Sequence, residues 1–304
     1  MEINEKTFPS QANFHLTGII PIAGLPLDFS MSYPDCMLPV AKDYTMIEAA
    51  VVECAFAGCD TIWIVCNDDI SPVVRYRVGD YIQDPVYFYN NYGSRPSTRT
   101  RRIPIFWVPV HPKDRDKRDC LSWSVIYGAL SALKVSSQLS KWMIPDKYYV
   151  SFPYGIFDPR PIQKFRTKIR TQKNFYVSSK DKTVQDNYYC SFTFGKKEFI
   201  KYRRNIRKGT GEYTSEVNEK GMPNKRLPIE ERWSARFFEL NQVFTTLDLE
   251  ESTIYNAPDF SNIGDWDSYR RFLSTDLANN IKRPTRSLFS YREFNSIGKN
   301  KNDT

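Results

Sequence analysis

The sequence has few of the residues and patterns that mark several common classes of protein. It holds only 2 histidines and 13 glycines in 304 residues. So few histidines argue against His-based catalysis and Cys/His zinc binding, and scarce glycine argues against collagen-like or low-complexity character. No apolar run approaches the roughly 20 residues that a membrane span needs. Residues 1–5 are acidic and carry no apolar segment, so we expect no secretory signal and a cytoplasmic location.

The six cysteines lack the spacing of a metal or redox site. None forms a C-x-x-C pair, and Cys54 and Cys66 lie in apolar runs, so we expect reduced thiols that serve as small core residues. Apolar residues make up 41% of the chain and aromatic residues 15%. That is enough to build a sizeable core, and it excludes a largely disordered chain.

The first half of the chain alternates strand and helix patterns. Residues 45–58 have apolar side chains at helical spacing, with Thr45 and Glu48 placed to cap the start and Gly58 to end it. Residues 61–66 form a continuous apolar run, which is typical of a parallel strand buried on both faces. Further strands are predicted at 17–24, 103–110 and 147–152, and a second helix at 122–133. The alternation predicts an α/β fold: a mainly parallel central sheet with helices on both faces.

The second half is less regular. A helix is predicted over 162–169 and another over 198–208, both with basic outer faces, and strands are predicted at 175–178 and 188–194. From residue 282 the periodicity is lost, and residues 282–304 are expected to form a partly mobile tail.

Three groups of short motifs resemble the sugar-phosphate nucleotidyltransferase family. Residues 19–25 (IIPIAGL), 34–40 (PDCMLPV) and 46–48 are similar to its first strand, glycine-rich loop, Pro-Lys-x-x-Leu-Pro-Val segment and first helix. Residues 127–130 (YGAL) are similar to its Gly-Thr-Ala-x-Ala segment, and Asn262, Ile263 and Gly264 with Tyr269 are similar to its Asp-Ile-Gly-Thr and following Tyr. The motifs are collinear over about residues 17–275.

The resemblance implies a single domain, residues 1–281, with the nucleotide-diphospho-sugar transferase (GT-A-like) fold. Residues 1–159 would be its nucleotide-binding half, and residues 160–281 a basic acceptor or interaction half. It also implies candidate ligand-binding positions. Those for a nucleotide are Ala23, Gly24, Leu25, Asp28, Asp35 and Gly128, and those for Mg²⁺ are Asn262 and Asp158.

The sequence departs from the family at the positions that handle the triphosphate. Pro26 stands at the second glycine and removes an N–H donor, while Asp28 and Asp35 stand where the family has Arg and Lys. Tyr154 stands where a metal-binding Asp is expected. Each reversed charge changes the interaction with a nearby phosphate by several kcal/mol at an effective dielectric of about 20. We therefore do not expect the standard reaction. The acidic residues could instead gather around a metal for another chemistry, or the fold could persist without catalysis.

A strongly basic segment follows. Between residues 160 and 208 there are 15 Lys and Arg against three acidic residues, whereas the whole chain has a net charge of +8. This predicts a polyanion-binding face, with candidates Lys164, Lys168, Arg203, Arg204 and Arg207 on two adjacent helices. Interleaved aromatic residues could stack on bases, or they could be core residues beneath a solvated face.

The sequence thus favours a nucleotidyltransferase-like protein that binds a nucleotide or a nucleotide sugar. The alternative is a non-catalytic interaction or structural protein that docks through its basic surface to nucleic acid or to an acidic protein; the content of Asn, Tyr and Lys would suit a viral protein. A second basic loop with Arg95, Arg99, Arg101 and Arg102 could supply arginines to a phosphate or serve as an interaction loop.

Overall fold

The structure is a computed structural model of the chain. It describes residues 14–24, 31, 33–90, 101–110, 120–140, 143–209, 214, 216–222, 225–228, 238–245, 252–285 and 288–290.

An eight-stranded sheet forms the centre of the fold. Its strands are β1 (Leu16–Pro21), β4 (Thr61–Asn67), β5 (Tyr81–Gln83), β6 (Arg102–Val110), β7 (Lys147–Val150), β9 (Phe175–Ser178), β10 (Phe192–Gly195) and β11 (Thr253–Asn256), in the order β11-β9-β10-β7-β1-β4-β6-β5. Only β10 and β5 run against the other six strands. Two short ribbons accompany the sheet: β2 (Pro39–Ala41) with β3 (Tyr44–Thr45), and β8 (Gly155–Ile156) with β12 (Ser261–Asn262). The predicted mainly parallel sheet is confirmed.

Helices cover both faces of this sheet. They are α1 (Met46–Ala57), α2 (Ser71–Val78), α3 (Pro85–Asn90), α4 (Leu121–Leu139), α5 (Arg166–Ile169), α6 (Lys196–Gly209), α7 (Leu240–Val243), α8 (Trp266–Leu273) and α9 (Asp276–Asn280). Side chains of a strand alternate between faces, so Ile62 and Ile64 of β4 pack on the side of α1 and Trp63 and Val65 on the side of α4. The continuous apolar sequence of β4 reflects burial on both sides.

Helix α1 begins and ends where its sequence predicts. The carboxylate of Glu48 accepts the backbone N–H of Thr45 at 3.0 Å, and Gly58 ends the helix with a φ of +83°. The basic segment after β8 meets this end of α1. Arg166 donates to the carbonyls of Phe56 (2.8 Å) and Ala55, and Arg170 donates to the carbonyl of Gly58 at 3.0 Å. These two arginines therefore satisfy carbonyls that the end of a helix leaves without partners.

The predicted basic face of two adjacent helices is wrong. Lys164 and Lys168 belong to the 3₁₀ turn Arg160–Phe165 and to α5, whose residues Ile162 and Ile169 join the core on the α1 side. Helix α6 packs through Phe199 and Tyr202 on the other side, next to α4 and α7. The sheet separates the two groups of cations. The prediction that the interleaved aromatic residues stack on bases is also wrong, because most of them are core residues. Those at most 1% exposed are Phe175, Tyr176, Phe192, Phe194 and Tyr202.

Part of the predicted tail is packed against the body of the protein. Arg283 forms a 2.6 Å ion pair with buried Glu48 at the start of α1. Leu288 and Phe289 are buried, and Phe289 forms an antiparallel bridge with Ile82 of β5. Residues 291–304 lie outside the described part of the chain. All six cysteines lie in the described part of the chain; they are buried, as predicted, and form no disulfide with one another. Among the helices described, none combines the length and the apolar character needed to cross a membrane.

Candidate functional site

The carboxyl ends of β1, β4 and β7 meet at one edge of the sheet, because these strands are parallel neighbours. At this edge the residues that follow β1 are hydrogen-bonded to β4. The backbone N–H groups of Ile22 and Ala23 both donate to the carbonyl of Val65 at 2.8 Å. The start of the loop that the sequence assigns to a nucleotide is therefore held by the neighbouring strand.

Two of the candidate nucleotide-binding residues lie where this loop meets α4. The hydroxyl of Ser124 donates to the carbonyl of Ala23. A Cβ added to Gly24 would lie 3.4 Å from the backbone nitrogen of Leu121, so the loop runs close to the first turn of α4. Leu25 and Asp28, together with Pro26, lie outside the described residues.

Asp35 is close enough to Tyr154, the residue that replaces the expected metal ligand, to affect the pKa of its hydroxyl. It starts the 3₁₀ turn Asp35–Met37 and is 8% exposed. Burial raises the pKa of the Tyr154 hydroxyl well above its ordinary value, and the nearby Cys36 and Asp35 raise it further. The two positions where the resemblance expects a Lys and a metal-binding Asp thus interact electrostatically here, and they hold a carboxyl and a protonated phenol.

The third group of motif residues reaches the same edge. Asn262 pairs with Gly155 between β12 and β8, and the N–H of Ile263 donates to the carbonyl of Tyr154 at 2.8 Å. The hydroxyl of Tyr269 donates to the carbonyl of Pro39 at 2.8 Å, which joins the last motif to the 34–40 segment. Segments that are more than 200 residues apart in sequence therefore meet near the carboxyl end of β7.

The candidate metal ligands already have protein partners. The side-chain oxygen of Asn262 accepts the N–H of Tyr189 at 2.8 Å, and Asp158 forms a surface ion pair with Arg160 at 2.8 Å. Within the described ranges, no three His, Cys, Asp or Glu side chains are grouped in a way that could hold a metal ion. Asp28 is not among them, so Mg²⁺ binding stays a prediction.

Gly128 has a packing role that its sequence motif does not reveal. It lies inside α4 on the face toward the sheet, where an added Cβ would be 2.6 Å from Cγ2 of Val65 and 3.1 Å from Cγ2 of Ile19. Real Cβ atoms do not approach this closely, so glycine is required for α4 to lie on β1 and β4. This packing contact explains why position 128 is a glycine, and no role in ligand binding is needed to explain it.

The second basic loop ends at the opposite edge of the sheet. Arg102 begins β6 and stacks over Tyr81, with its guanidinium carbon 4.9 Å from the ring centroid. Arg101 donates to Asp60 and, at 3.3 Å, to Asp84. These two arginines are therefore held away from the carboxyl edge. The hypothesis that they bind a phosphate at that edge is wrong. Arg95 and Arg99 lie outside the described ranges.

Sequence reasoning missed Asn67, the last residue of β4. Its side chain is partly exposed at the carboxyl edge, and its amide oxygen has no hydrogen-bond partner among the described residues. Buried acceptors without a partner are uncommon, and such an atom beside a binding edge is suited to a ligand donor. The available signal was the polar run Asn67, Asp68, Asp69 directly after a buried strand.

A buried carboxyl lies beneath this edge on the α1 side. Glu53 accepts the hydroxyls of Tyr149 at 2.6 Å and Ser151 at 2.7 Å. Burial raises its pKa to about 7, although these hydrogen bonds act in the opposite direction.

Burial also raises the pKa of the Cys66 thiol to about 11, so this thiol is protonated and is not a nucleophile at neutral pH.

No known protein-family profile matches the chain, and no curated protein matches its sequence. Solved structures do match it. A protein from Bacillus anthracis, assigned as a glucose-1-phosphate thymidylyltransferase and solved with sucrose, aligns over 89% of this chain and 98% of its own, with a TM-score of 0.51 and 12% identity. A nucleoside-diphosphate-sugar pyrophosphorylase from Vibrio cholerae aligns over 85% of this chain and all of its own, with a TM-score of 0.45 and 13% identity. The first comparison shows that the chain has the sugar-phosphate nucleotidyltransferase fold, as the motifs predicted.

Proposed function

We propose that this protein binds a nucleotide or a nucleotide sugar at the carboxyl edge of β1, β4 and β7, and that it lacks the standard nucleotidyl-transfer reaction. One observation carries the proposal. In a fold shared with a protein assigned as a thymidylyltransferase, the first and third motif groups, which are distant in sequence, meet at this edge. Ligands of open α/β sheets bind outside the carboxyl ends of the parallel strands, which supports the same place.

The loss of the standard reaction follows from the charges at this edge. Transfer of a nucleotide needs cations that neutralise a triphosphate as charge develops on it. Asp35, next to buried Tyr154, puts a carboxyl where a lysine would act. Asp28, by its position in the sequence, adds a second one. A nucleotide sugar carries fewer phosphate charges than a nucleoside triphosphate and is repelled less, so it is the favoured ligand.

The test is a comparison of UDP-glucose, dTDP-glucose, UTP and dTTP by calorimetry and thermal unfolding, each with Mg²⁺ and with EDTA. At a concentration of 100 times Kd, a ligand stabilises the folded state by about 2.7 kcal/mol. For a chain of this length that corresponds to a rise in Tm of about 4 °C. We expect the nucleotide sugars to bind more tightly than the triphosphates, and sugar phosphate with triphosphate to release little pyrophosphate.

Two amide variants locate the site. Asn67→Ala should weaken nucleotide-sugar binding several-fold, because it removes the unpaired acceptor at the carboxyl edge. Gln83→Ala is its matched control. Gln83 also has a buried amide oxygen without a hydrogen-bond partner in the described structure, but it lies opposite Arg102 at the start of β6, away from the carboxyl edge. Absence of binding by all four ligands contradicts the proposal, and so does rapid Mg²⁺-dependent pyrophosphate release. An equal effect of the two variants contradicts the location.

A further inference from the structure

We infer that the outer face of α6 binds the phosphodiester backbone of a nucleic acid without reading its bases. This surface lies on the α4 side of the sheet and is independent of the proposed nucleotide site. We call it the α6 basic face. Its members are the exposed cations of the helix, Lys196, Lys197, Lys201, Arg203, Arg204 and Arg207.

The sequence of α6 divides cleanly between core and solvent. Phe199, Tyr202 and Ile206 pack into the core cluster that also contains residues of α4 and α7. Since an α-helix repeats every 3.6 residues, Lys197, Lys201 and Arg204 form one row along the outside, and Lys196, Arg203 and Arg207 fall in the row beside it. The six cations span about 16 Å of helix at 1.5 Å per residue. They form a band of positive charge along the outside of the helix, with exposed Ile200 between the two rows.

In the described part of the chain, most of these cations are not paired with an acidic residue. The only acid in α6 is Glu198, whose carboxylate accepts the backbone N–H of Gly195 at 3.0 Å and so caps the start of the helix. In the part of the chain that the structure describes, Lys196, Lys197, Lys201, Arg203 and Arg204 form no ion pair. By contrast, Arg166 and Arg170 of the same basic segment are paired with Asp84 and Asp60. The charges of Lys196, Lys197, Lys201, Arg203 and Arg204 are therefore available to a partner.

A cavity of about 710 Å³ extends the α6 basic face beyond the start of the helix. It opens at the amino ends of β7, β9 and β11, which is the sheet edge opposite the proposed nucleotide site. Its lining includes Lys173, Gln172 and Asn174 together with Lys196 and Lys197 of the helix, and also two carboxylates, Asp146 and Glu198. Asp146 accepts the backbone N–H of His15 at 2.7 Å, and Glu198 accepts that of Gly195 at 3.0 Å. Cationic and amide side chains are the groups that commonly contact phosphate oxygens. The cavity thus adds Lys173 and two amide side chains to the α6 basic face, beside two carboxylates that already accept backbone N–H groups.

The chemistry of the face favours a phosphodiester backbone over a protein. Specific protein interfaces have an apolar, often aromatic, central patch, whereas Ile200 is the only large apolar side chain that the described part of α6 exposes. Bases would need exposed aromatic rings for stacking, and those of this region, Phe199 and Tyr202, are buried. What remains is repeated positive charge, which matches a repeated negative charge in a sequence-independent way.

The experiment measures binding of a fluorescent 20-base-pair DNA duplex by anisotropy between 50 and 200 mM NaCl. If about six phosphates are contacted, affinity should fall about 1000-fold over this range. A duplex of scrambled sequence should bind equally well. The double variant K201E/R204E should weaken binding at least tenfold at 50 mM salt and make the salt dependence shallower.

The matched control is K164E/K168E. It makes the same change in net charge on the other face of the sheet, where both lysines are also exposed. It should leave the affinity within about threefold, and circular dichroism should show that both variants are folded. Equal losses in the two variants would mean diffuse attraction by net charge and would overturn the inference. The inference would also be overturned if no binding to the duplex were detected at 50 mM salt. The same holds if an acidic polypeptide such as polyglutamate bound as tightly as the duplex.

Discussion

Replacement of Glu53 by Gln should remove a large part of the pH dependence of stability. Glu53 is 3% exposed between α1 and β7, and burial raises its pKa from 4.5 to about 7. The folded protein therefore holds this proton more tightly than the unfolded chain does. The resulting stabilisation is fully present below pH 4.5 and is lost as the pH rises to about 7.

The magnitude follows from the shift. A change of about 2.5 pKa units at about 1.4 kcal/mol each corresponds to about 3 kcal/mol of unfolding free energy lost across this range. Gln keeps the shape of the side chain and can still accept the hydroxyl of Tyr149, but it carries no charge at any pH. The variant should therefore match the wild type near pH 4.5 and exceed it by up to about 3 kcal/mol at pH 8.

The assay is urea unfolding of wild type and E53Q at half-unit steps from pH 4.5 to 8. His15, whose pKa is lowered by burial, contributes the opposite slope, but it does so in both proteins and cancels in the difference. Glu216→Gln, at an exposed position, is the control and should show a constant difference from the wild type. A difference between E53Q and wild type that does not change with pH would refute the reasoning.

Three further substitutions test the packing around the sheet. Gly128→Ala should lower the unfolding free energy by about 1–3 kcal/mol, because its Cβ would overlap Val65; urea unfolding measures it, and an unchanged midpoint would contradict the tight contact. Asp84→Ala should cost about 3–5 kcal/mol by leaving Arg166 without its 2.6 Å carboxylate partner, and a loss below 1 kcal/mol would show that the pair matters little. Tyr269→Phe should lower the unfolding free energy by about 1 kcal/mol, because the hydrogen bond to the carbonyl of Pro39 is lost. Calorimetry with a nucleotide sugar should show whether ligand binding is also affected.

Local sequence signals determined the elements of the first half. Thr45, Glu48 and Gly58 define the ends of α1 through hydrogen bonds and a backbone angle that involve only nearby residues. The continuous apolar run of β4 requires burial on both faces, and that requirement already implies helices on each side of the sheet. For the same reason the mainly parallel architecture could be predicted from the chain alone, whereas the likeness to the sugar-phosphate nucleotidyltransferase fold was indicated by the short motifs between residues 19 and 269.

Tertiary structure decided which charged and polar residues face solvent. Arg166 and Lys168 are two positions apart and equally basic in sequence, yet Arg166 bonds to the end of α1 and to Asp84 while Lys168 is exposed. Lys147 is buried, with its ammonium donating to the carbonyls of Ile169 and Thr171 at 3.0 Å. The partners of such a group come from remote segments, so composition reports the charge and not its environment. The path of the chain also places α5 and α6 on opposite faces of the sheet, which divides one basic segment into two surfaces.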